Sequence, residues 1–153
     1  MVPDNVCFDF IKSREGLKLK AYQDSAGIWT IGYGTILYED GRHVKRGDVI
    51  TQEQADALLE AEIIKKSLKV NAGIKSAKLS QNQYNALVSF AYNVGTAALL
   101  SSTLLKKVVA NRNDPTIRDS FMVWNKAHVD GKLVPVAGLT NRRKAEADLY
   151  FSS

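Results

Sequence analysis

Two carboxylates and a hydroxyl near the N-terminus have types and spacing suited to hydrolysis. Glu15, Asp24 and Thr30 follow one another in the pattern E-x8-D-x5-T. A glycosidic bond is cleaved through an oxocarbenium-like transition state. One carboxylic acid protonates the leaving oxygen, and a carboxylate can activate water from the opposite face. The segment therefore offers a candidate acid, a candidate base and a hydroxyl that can hold the attacking water.

The first of these residues follows a predicted helix. Apolar periodicity predicts this helix from Met1 to Arg14, capped by Asp4 or Asn5. Gly16 is then expected in the left-handed conformation after the helix end. Because the C-terminal dipole of a helix disfavours negative charge, a glutamate at this position suits a general acid.

A strand pair follows, and the turn between its strands is predicted at Asp24–Gly27. Strand-forming aromatic and β-branched residues flank this segment of turn formers. Thr30 is therefore expected to return close to Asp24 on the paired strand. Gly34 interrupts the strand-forming pattern of the second strand, and a glycine at such a position lets the backbone approach a neighbouring group closely.

The remainder of the chain has a mostly helical pattern. Capping boxes that begin at Thr51 and Ser80 each start a helix with apolar residues at helical period. Asp130–Gly131 is expected to break the chain, and Thr140 is expected to cap a last helix. Together these elements predict an α+β fold in which helices dominate the second half.

Net charge narrows the classes of partner. Lysine and arginine number 21 against 16 acidic residues, which gives a charge of +5 and favours polyanions such as nucleic acid, an anionic membrane surface or the bacterial cell wall. The basic residues are dispersed, and the cluster Arg142–Lys144 is expected to be a solvated helix face, with Ala145 and Leu149 on the buried side. A nucleic-acid-binding domain needs lysine and arginine clustered along one helix, so no nucleic-acid partner is expected.

Cysteine and histidine usage excludes several kinds of site. Cys7 is the only cysteine, so no intrachain disulfide forms, and its place among apolar residues predicts a buried thiol. His43 and His128 form no metal-ligand pattern, and we expect neither a metal nor another cofactor. No stretch resembles a membrane span or a signal peptide, so stable membrane insertion is not expected.

The predicted architecture is a single domain over residues 1–153. The N-terminal helix and a small antiparallel β lobe occupy about residues 1–50, and a long connecting helix occupies about residues 51–70. A mainly helical lobe occupies about residues 71–153. The active site is expected in a cleft between the lobes.

The segment from Glu15 to Gly34 resembles the phage-type lysozymes, glycoside hydrolase family 24. The resemblance is carried by the pattern E-G-x-x-L-x-x-Y-x-D-x-x-G-x-x-T-I-G-x-G. Residues 89–95, SFAYNVG, resemble the helix end at the cleft of that family, and residues 138–146, GLTNRRKAE, resemble the start of its C-terminal helix. The resemblance thus spans nearly the whole chain.

The resemblance implies a lysozyme-like fold and muramidase activity. The expected reaction is hydrolysis of the β-1,4 bond between N-acetylmuramic acid and N-acetylglucosamine in peptidoglycan, with inversion of configuration. Glu15 is implied as the acid, with Asp24 and Thr30 serving the water. An arginine at the start of the C-terminal helix is implied to pair with the catalytic glutamate, and Arg142 matches it best, with Arg143 as the alternative.

Three further residues match cleft positions of the family and are candidates for substrate binding: Gly34, Tyr92 and Asn93. Each also has a structural interpretation. Gly34 can be a strand-end glycine, Tyr92 a core aromatic and Asn93 a helix C-cap.

The start of the chain, almost directly at the catalytic helix, resembles the soluble endolysins that depend on a holin for release. The expected protein is a monomer in the host cytoplasm until lysis, and thereafter in the periplasm and cell wall, where it frees phage progeny. Its basic surface is then its means of attraction to the wall. A peptidoglycan-binding protein without turnover is the alternative, and the intact acid Glu15 argues against it.

Overall fold

The computed structural model describes residues 1–152, and its elements confirm the α+β class. Backbone contacts group the chain into two compact units. The β unit is Phe8–Lys65, and the helical unit is residues 1–7 together with the chain from Lys66 onward. The helices and strands, in chain order, are α1 (Asn5–Lys12), β1 (Lys18–Gln23), β2 (Trp29–Gly32), α2 (Gln52–Ile74), α3 (Gln81–Val94), α4 (Thr96–Ser101), α5 (Thr103–Ala110), α6 (Ile117–Met122), β3 (Lys126–Val129), β4 (Lys132–Pro135) and α7 (Ala137–Tyr150).

An antiparallel hairpin of β1 and β2 organises the β unit. Lys18 pairs with Gly32 and Tyr22 with Thr30, so β1 advances four residues while β2 advances two. The extra residues of β1 form a bulge, and segment 19–21 hydrogen-bonds instead to the chain that leads into α2. Bulges bend a strand and increase its twist, which re-aims the side chains beside them.

A small apolar core fixes which side chains of β2 share a face. Ile31 is fully buried and packs with Val44, Ile50 and Ala55. Because side chains alternate along a strand, the burial of Ile31 in this core turns Thr30 to the opposite face of the hairpin.

The chain reverses tightly after β2. The amide N–H groups of Ile31 and Thr35 each donate to the carbonyl of the other, at 2.9 and 2.8 Å. Gly32 and Gly34 have φ angles of +65° and +100° within this reversal. Side chains other than glycine rarely adopt such values, so the reversal requires both glycines.

Buried aromatic packing holds the helical unit together. Along α3, every residue from Gln83 to Ala91 is buried. Phe90 of this helix meets Phe121 and Trp124 edge to face, with ring centroids 6.0 and 5.6 Å apart. Both predicted capping boxes are confirmed: Ser80 and Gln83 bond reciprocally at the start of α3, as do Thr51 and Gln54 before α2.

The structure revises several predicted element ends. The Asp4 cap is confirmed, since its Oδ1 accepts from the Cys7 amide N–H at 3.3 Å. The first helix is shorter than predicted at both ends, since it runs from Asn5 to Lys12, and Gly16 does not have the left-handed φ expected of it. The prediction that Thr140 caps the last helix is wrong. That helix begins at Ala137, and Thr140 lies within its first turn.

Asp130–Gly131 does more than break the chain. Both residues have positive φ, 52° and 78°, and they form the two-residue turn that joins β3 to β4. This second hairpin was missed, although a D-G pair between strand-like residues favours such a turn.

The buried side of α7 also differs from its prediction. Ala145 and Leu149 are only half-buried, whereas Arg142 and Arg143 are buried, with 6% and 0% of their surface exposed. The prediction of a solvated basic face is therefore wrong for these two arginines and holds for Lys144, which is exposed. Cys7 is fully buried, as predicted. Within residues 1–152, no helix is both long and apolar enough to cross a bilayer.

Candidate active site

Glu15 lies in a bend between α1 and β1. Its amide N–H donates to the carbonyl of Lys12, the last residue of α1, at 3.3 Å. Such i−3 bonds tighten the chain as it leaves a helix. The Glu15 side chain is half-buried, and the next strand begins only three residues later, at Lys18. The candidate acid is therefore held on both sides by regular structure.

Asp24 organises the loop between β1 and β2. Its Oδ1 accepts hydrogen bonds from the amide N–H groups of Ala26 and Ile28, at 2.8 and 2.9 Å. Its own amide N–H donates to the carbonyl of Ile28 at 2.9 Å. These bonds form an Asx-type turn, the local reason why aspartate favours this loop. Among the described residues, nothing donates to Oδ2 of Asp24, so that oxygen is available to a water.

Thr30 has a defined hydroxyl orientation. Its side chain is buried, with 4% exposed, and Oγ1 donates to the carbonyl of Ile28 at 2.9 Å. The proton of the hydroxyl is thereby used, and the lone pairs of Oγ1 remain for a donor. A water near Thr30 would therefore donate to this oxygen.

The hairpin register places Asp24 and Thr30 on one face. Thr30 pairs directly with Tyr22, and Asp24 follows Tyr22 by two residues. Directly paired residues and residues two apart on a strand share a face, so the two candidate groups are diagonal neighbours. Thr30 does not face Asp24 directly; the register is consistent with the predicted proximity of the two groups, which stays a prediction.

The remaining candidates lie at glycine and helix-end positions. Gly34 is exposed, and a Cβ added to it would meet no atom within 4 Å, so its positive φ alone requires glycine. In the helical unit, Tyr92 is half-buried, and the Lys66 ammonium lies 4.8 Å from its ring centroid. Asn93 is exposed, and its Oδ1 accepts from Nη2 of Arg143 at 2.8 Å. It lies inside α3, whose C-cap is Gly95, so the C-cap interpretation of Asn93 does not hold.

A cavity of the helical unit borders Asn93. Its volume is about 540 Å³. Apolar groups make up much of its wall, and Lys126 and Arg143 contribute positive charge. The lining residues are Asn93, Val94, Val123, Trp124, Lys126, Leu133, Leu139 and Arg143. The β3–β4 hairpin supplies Lys126 and Leu133, so the hairpin missed from sequence helps to form this cavity.

Arg142 and Arg143 converge on Glu146, a residue for which no role was predicted. Nε of Arg143 lies 2.6 Å from Oε1 of Glu146, and Nε of Arg142 lies 3.3 Å from its Oε2. The Ser89 hydroxyl donates to Oε2 at 2.6 Å. Glu146 is fully buried. The i, i+3 and i, i+4 spacing in R-R-x-x-E was the available signal for this cluster.

Burial and charge act in opposite directions on this cluster. Burial raises the pKa of Glu146, and the two guanidinium groups and the Ser89 hydroxyl oppose that rise. Burial likewise lowers the pKa of Arg143, against the charge of Glu146. A guanidinium remains protonated even so, because its pKa in proteins stays far above neutral pH. The predicted pairing of Arg142 with Glu15 joins residues of different units and stays a prediction.

Comparison with known proteins shows the family to which the chain belongs. The family model described as phage lysozyme matches residues 12–146. An endolysin of Acyrthosiphon pisum secondary endosymbiont phage 1 is 46% identical over 143 residues, which cover 94% of this chain and 93% of the relative.

Two solved structures have similar folds and substantial identity. The endolysin from Escherichia coli O157:H7 phage FAHEc1 has a TM-score of 0.89 and 46% identity, covering 99% of this chain and 94% of that one. The muramidase domain of SpmX from Asticaccaulis excentricus has a TM-score of 0.84 and 33% identity, covering 98% and 97%. With Glu15, Asp24 and Thr30 inside the matched segment, the chain belongs to the phage lysozyme family.

Proposed function

We propose that this lysozyme-type hydrolase is an endolysin that cleaves the β-1,4 bond between N-acetylmuramic acid and N-acetylglucosamine in peptidoglycan, with inversion. The observation that carries the proposal is the placement of Asp24 and Thr30 on one face of the β1–β2 hairpin, within a phage lysozyme sequence. The relatives include an endolysin and a muramidase domain, which supports the choice of peptidoglycan as substrate.

The two hairpin residues hold the attacking water. One proton of the water is donated to Oγ1 of Thr30, whose own proton is committed to the Ile28 carbonyl. The other proton is donated to Oδ2 of Asp24, whose Oδ1 is already fixed by two amide N–H groups. A lone pair of the water is then left to attack the anomeric carbon. As the bond forms, Asp24 accepts the proton as general base.

Glu15 donates the proton that the leaving oxygen needs. An inverting enzyme leaves room for a water between its two carboxyl groups, which lie about 6.5–9.5 Å apart in that class. Arg142 positions the acid in this proposal. Gly34, Tyr92 and Asn93 bind the glycan, and the cavity beside Asn93 supports a substrate-binding role for that residue.

Product analysis of purified peptidoglycan tests the reaction. Hydrolysis gives reducing N-acetylmuramic acid ends in the mass spectrum, whereas a lytic transglycosylase gives products with an anhydro ring. Proton NMR at early times should show the α-anomer released from the β-linkage. Anhydro products would contradict hydrolysis, and an initial β-anomer would contradict inversion.

Substitutions test the roles of the three residues. Glu15→Gln, Asp24→Asn and Thr30→Ala should each lower turnover, for the acid by at least the roughly 10²–10⁴-fold typical of general acid catalysis. The matched control is Glu39→Gln, which removes an exposed carboxylate elsewhere in the β unit. A folded Glu15→Gln variant with turnover near wild type would refute the assignment of the acid, and a fully active Thr30→Ala variant would leave Thr30 a strand residue only.

The biological setting belongs to the same proposal. The enzyme is a monomer that waits in the host cytoplasm and reaches the cell wall when a holin opens the membrane. Sedimentation of the purified protein tests the monomer. Co-expression in cells with and without a holin tests the release step, because lysis in the absence of holin would contradict the dependence.

A further inference from the structure

A hydrogen-bond network in the β unit centres on Asp56 of α2. The Tyr33 hydroxyl donates to Oδ1 of Asp56 at 2.9 Å, and Nε2 of Gln52 donates to the same oxygen at 2.9 Å. Nε2 of Gln52 also lies 3.0 Å from the Tyr33 hydroxyl oxygen. Tyr33 directly follows β2 and comes three residues after Thr30. Oδ1 of Asp56 therefore holds the end of the strand that carries the water-binding hydroxyl.

The other oxygen of Asp56 faces α1. Nζ of Lys12 lies 3.6 Å from Oδ2 of Asp56 and 3.2 Å from Oε1 of Glu60, one turn further along α2. Lys12 is the last residue of α1, and Glu15 follows three residues later, with its amide N–H bonded to the Lys12 carbonyl. The Lys12 ammonium thus links the end of α1, which leads to the candidate acid Glu15, to the carboxylates of α2.

One carboxylate therefore joins the two segments that carry the candidate catalytic groups. We infer that Asp56 is a positioning residue, which fixes the end of α1 before Glu15 relative to the end of β2 after Thr30. The inference rests on the proposed function, since it gives Asp56 its effect through that acid and that hydroxyl. Asp56 itself touches neither group by any bond described above.

The charge state of Asp56 is consistent with this role. Burial alone would raise its pKa, but hydrogen bonds from Gln52 and Tyr33 and the charge of Lys12 outweigh burial, so the pKa lies below its usual value. The carboxylate is therefore ionised at neutral pH. It can accept from the phenol and attract the ammonium at once, whereas Glu60 meets Lys12 but not Tyr33.

Kinetics on a soluble peptidoglycan oligosaccharide test the inference. Asp56→Ala removes both links and should lower kcat on the order of 10-fold with KM little changed, because displacement by a fraction of an ångström misaligns reacting groups without removing binding contacts. Asp56→Asn keeps an acceptor for the Tyr33 hydroxyl, so its kcat should fall less than that of Asp56→Ala. Tyr33→Phe should show non-additivity with Asp56→Ala, because both changes break the same bond.

Glu60→Gln is the matched control. It removes a carboxylate that is closer to Lys12 than Asp56 is, on the same helix, yet leaves the link to Tyr33 intact. We expect its kcat to stay within twofold of wild type. An Asp56→Ala kcat at the wild-type value, or an equal loss in Glu60→Gln, would overturn the positioning role.

A readout independent of activity separates this inference from the proposed function. Amide hydrogen exchange should become faster in residues 13–16 and 29–34 of Asp56→Ala. In Glu60→Gln, exchange in residues 29–34 should stay at the wild-type rate, because the bond from Tyr33 to Asp56 is intact. Unchanged exchange in both segments of Asp56→Ala overturns the inference. Failure of the wild type to cleave peptidoglycan, or full activity of Glu15→Gln, would instead refute the proposed function.

Discussion

Replacement of Glu146 by glutamine should destabilise the helical unit severely. The carboxylate is fully buried and lies within 2.6–3.3 Å of Arg143, Arg142 and the Ser89 hydroxyl. Glutamine has nearly the same shape but no charge, and its amide N–H₂ would face guanidinium donors. Two buried guanidinium groups would then lack their carboxylate partner. Loss of one member of a buried ion pair costs about 3–5 kcal/mol.

An exposed ion pair between α6 and α7 supplies the control. Asp148 lies 2.8 Å from Arg118, but 60% of the Asp148 side chain and 40% of the Arg118 side chain are exposed. Such surface pairs contribute up to about 1 kcal/mol, so Asp148→Asn should barely change the free energy of unfolding. Both substitutions replace a carboxylate by its amide in α7, and burial is the difference that separates them.

Urea and thermal unfolding, followed by circular dichroism, measure this contrast. For a domain of this length the expected loss in Glu146→Gln corresponds to a fall in Tm of roughly 6–20 °C. A fall no larger than that of Asp148→Asn would refute the reasoning, because it would mean that the buried charge contributes no more than an exposed one.

Three further outcomes follow from burial and charge. Cys7 is fully buried, and its pKa is raised to about 12, mainly by burial and also by the nearby Asp4 charge. Ellman's reagent should therefore label the Cys7 thiol only when the fold opens. Labelling at the rate of a free thiol would contradict this expectation. Burial and the hydrogen bond to Asp48 raise the pKa of Tyr38 to about 12. The stability that Tyr38 contributes should therefore be full below about pH 10 and be lost as pH rises toward 12. The difference in unfolding free energy between wild type and Tyr38→Phe, measured against pH, tests this. Because the net charge is +5 and physiological ionic strength screens charges beyond about 8 Å, the rate of lysis of whole walls should fall as salt rises. Turnover on a soluble oligosaccharide should stay level. Equal salt dependence on both substrates would contradict electrostatic attraction of the enzyme to the wall.

Features that depend on residues close in sequence were predictable. The Thr51 and Ser80 capping boxes and the Asp24 turn all rest on hydrogen bonds between residues two to four apart. Such bonds are set by residue type and spacing alone, so a single sequence carries them. The face shared by Asp24 and Thr30 follows from the same short hairpin.

Features that depend on distant partners were not predictable. Arg142 and Arg143 were predicted to lie on a solvated helix face, because arginine is rarely buried unless it is paired. Their burial depends on Ser89 and Asn93, more than 45 residues earlier in the chain, as well as on Glu146. The link from Asp56 to Lys12 also spans two helices, and neither residue has a local pattern that marks it.

The candidate catalytic residues of the hairpin depend on local bonds, whereas the residues that stabilise the hairpin are distant in sequence. Asp24 and Thr30 lie on the β1–β2 hairpin, and hydrogen bonds from two amide N–H groups to Asp24 hold its loop. Such a hairpin is marginally stable alone and needs a packed face. The apolar core under Ile31 supplies that face, while Tyr33 and Asp56 fix the end of the strand. Replacement of the half-buried Asp24 by asparagine should therefore lower turnover with little loss of stability, whereas replacement of the fully buried Ile31 by alanine should lower stability first.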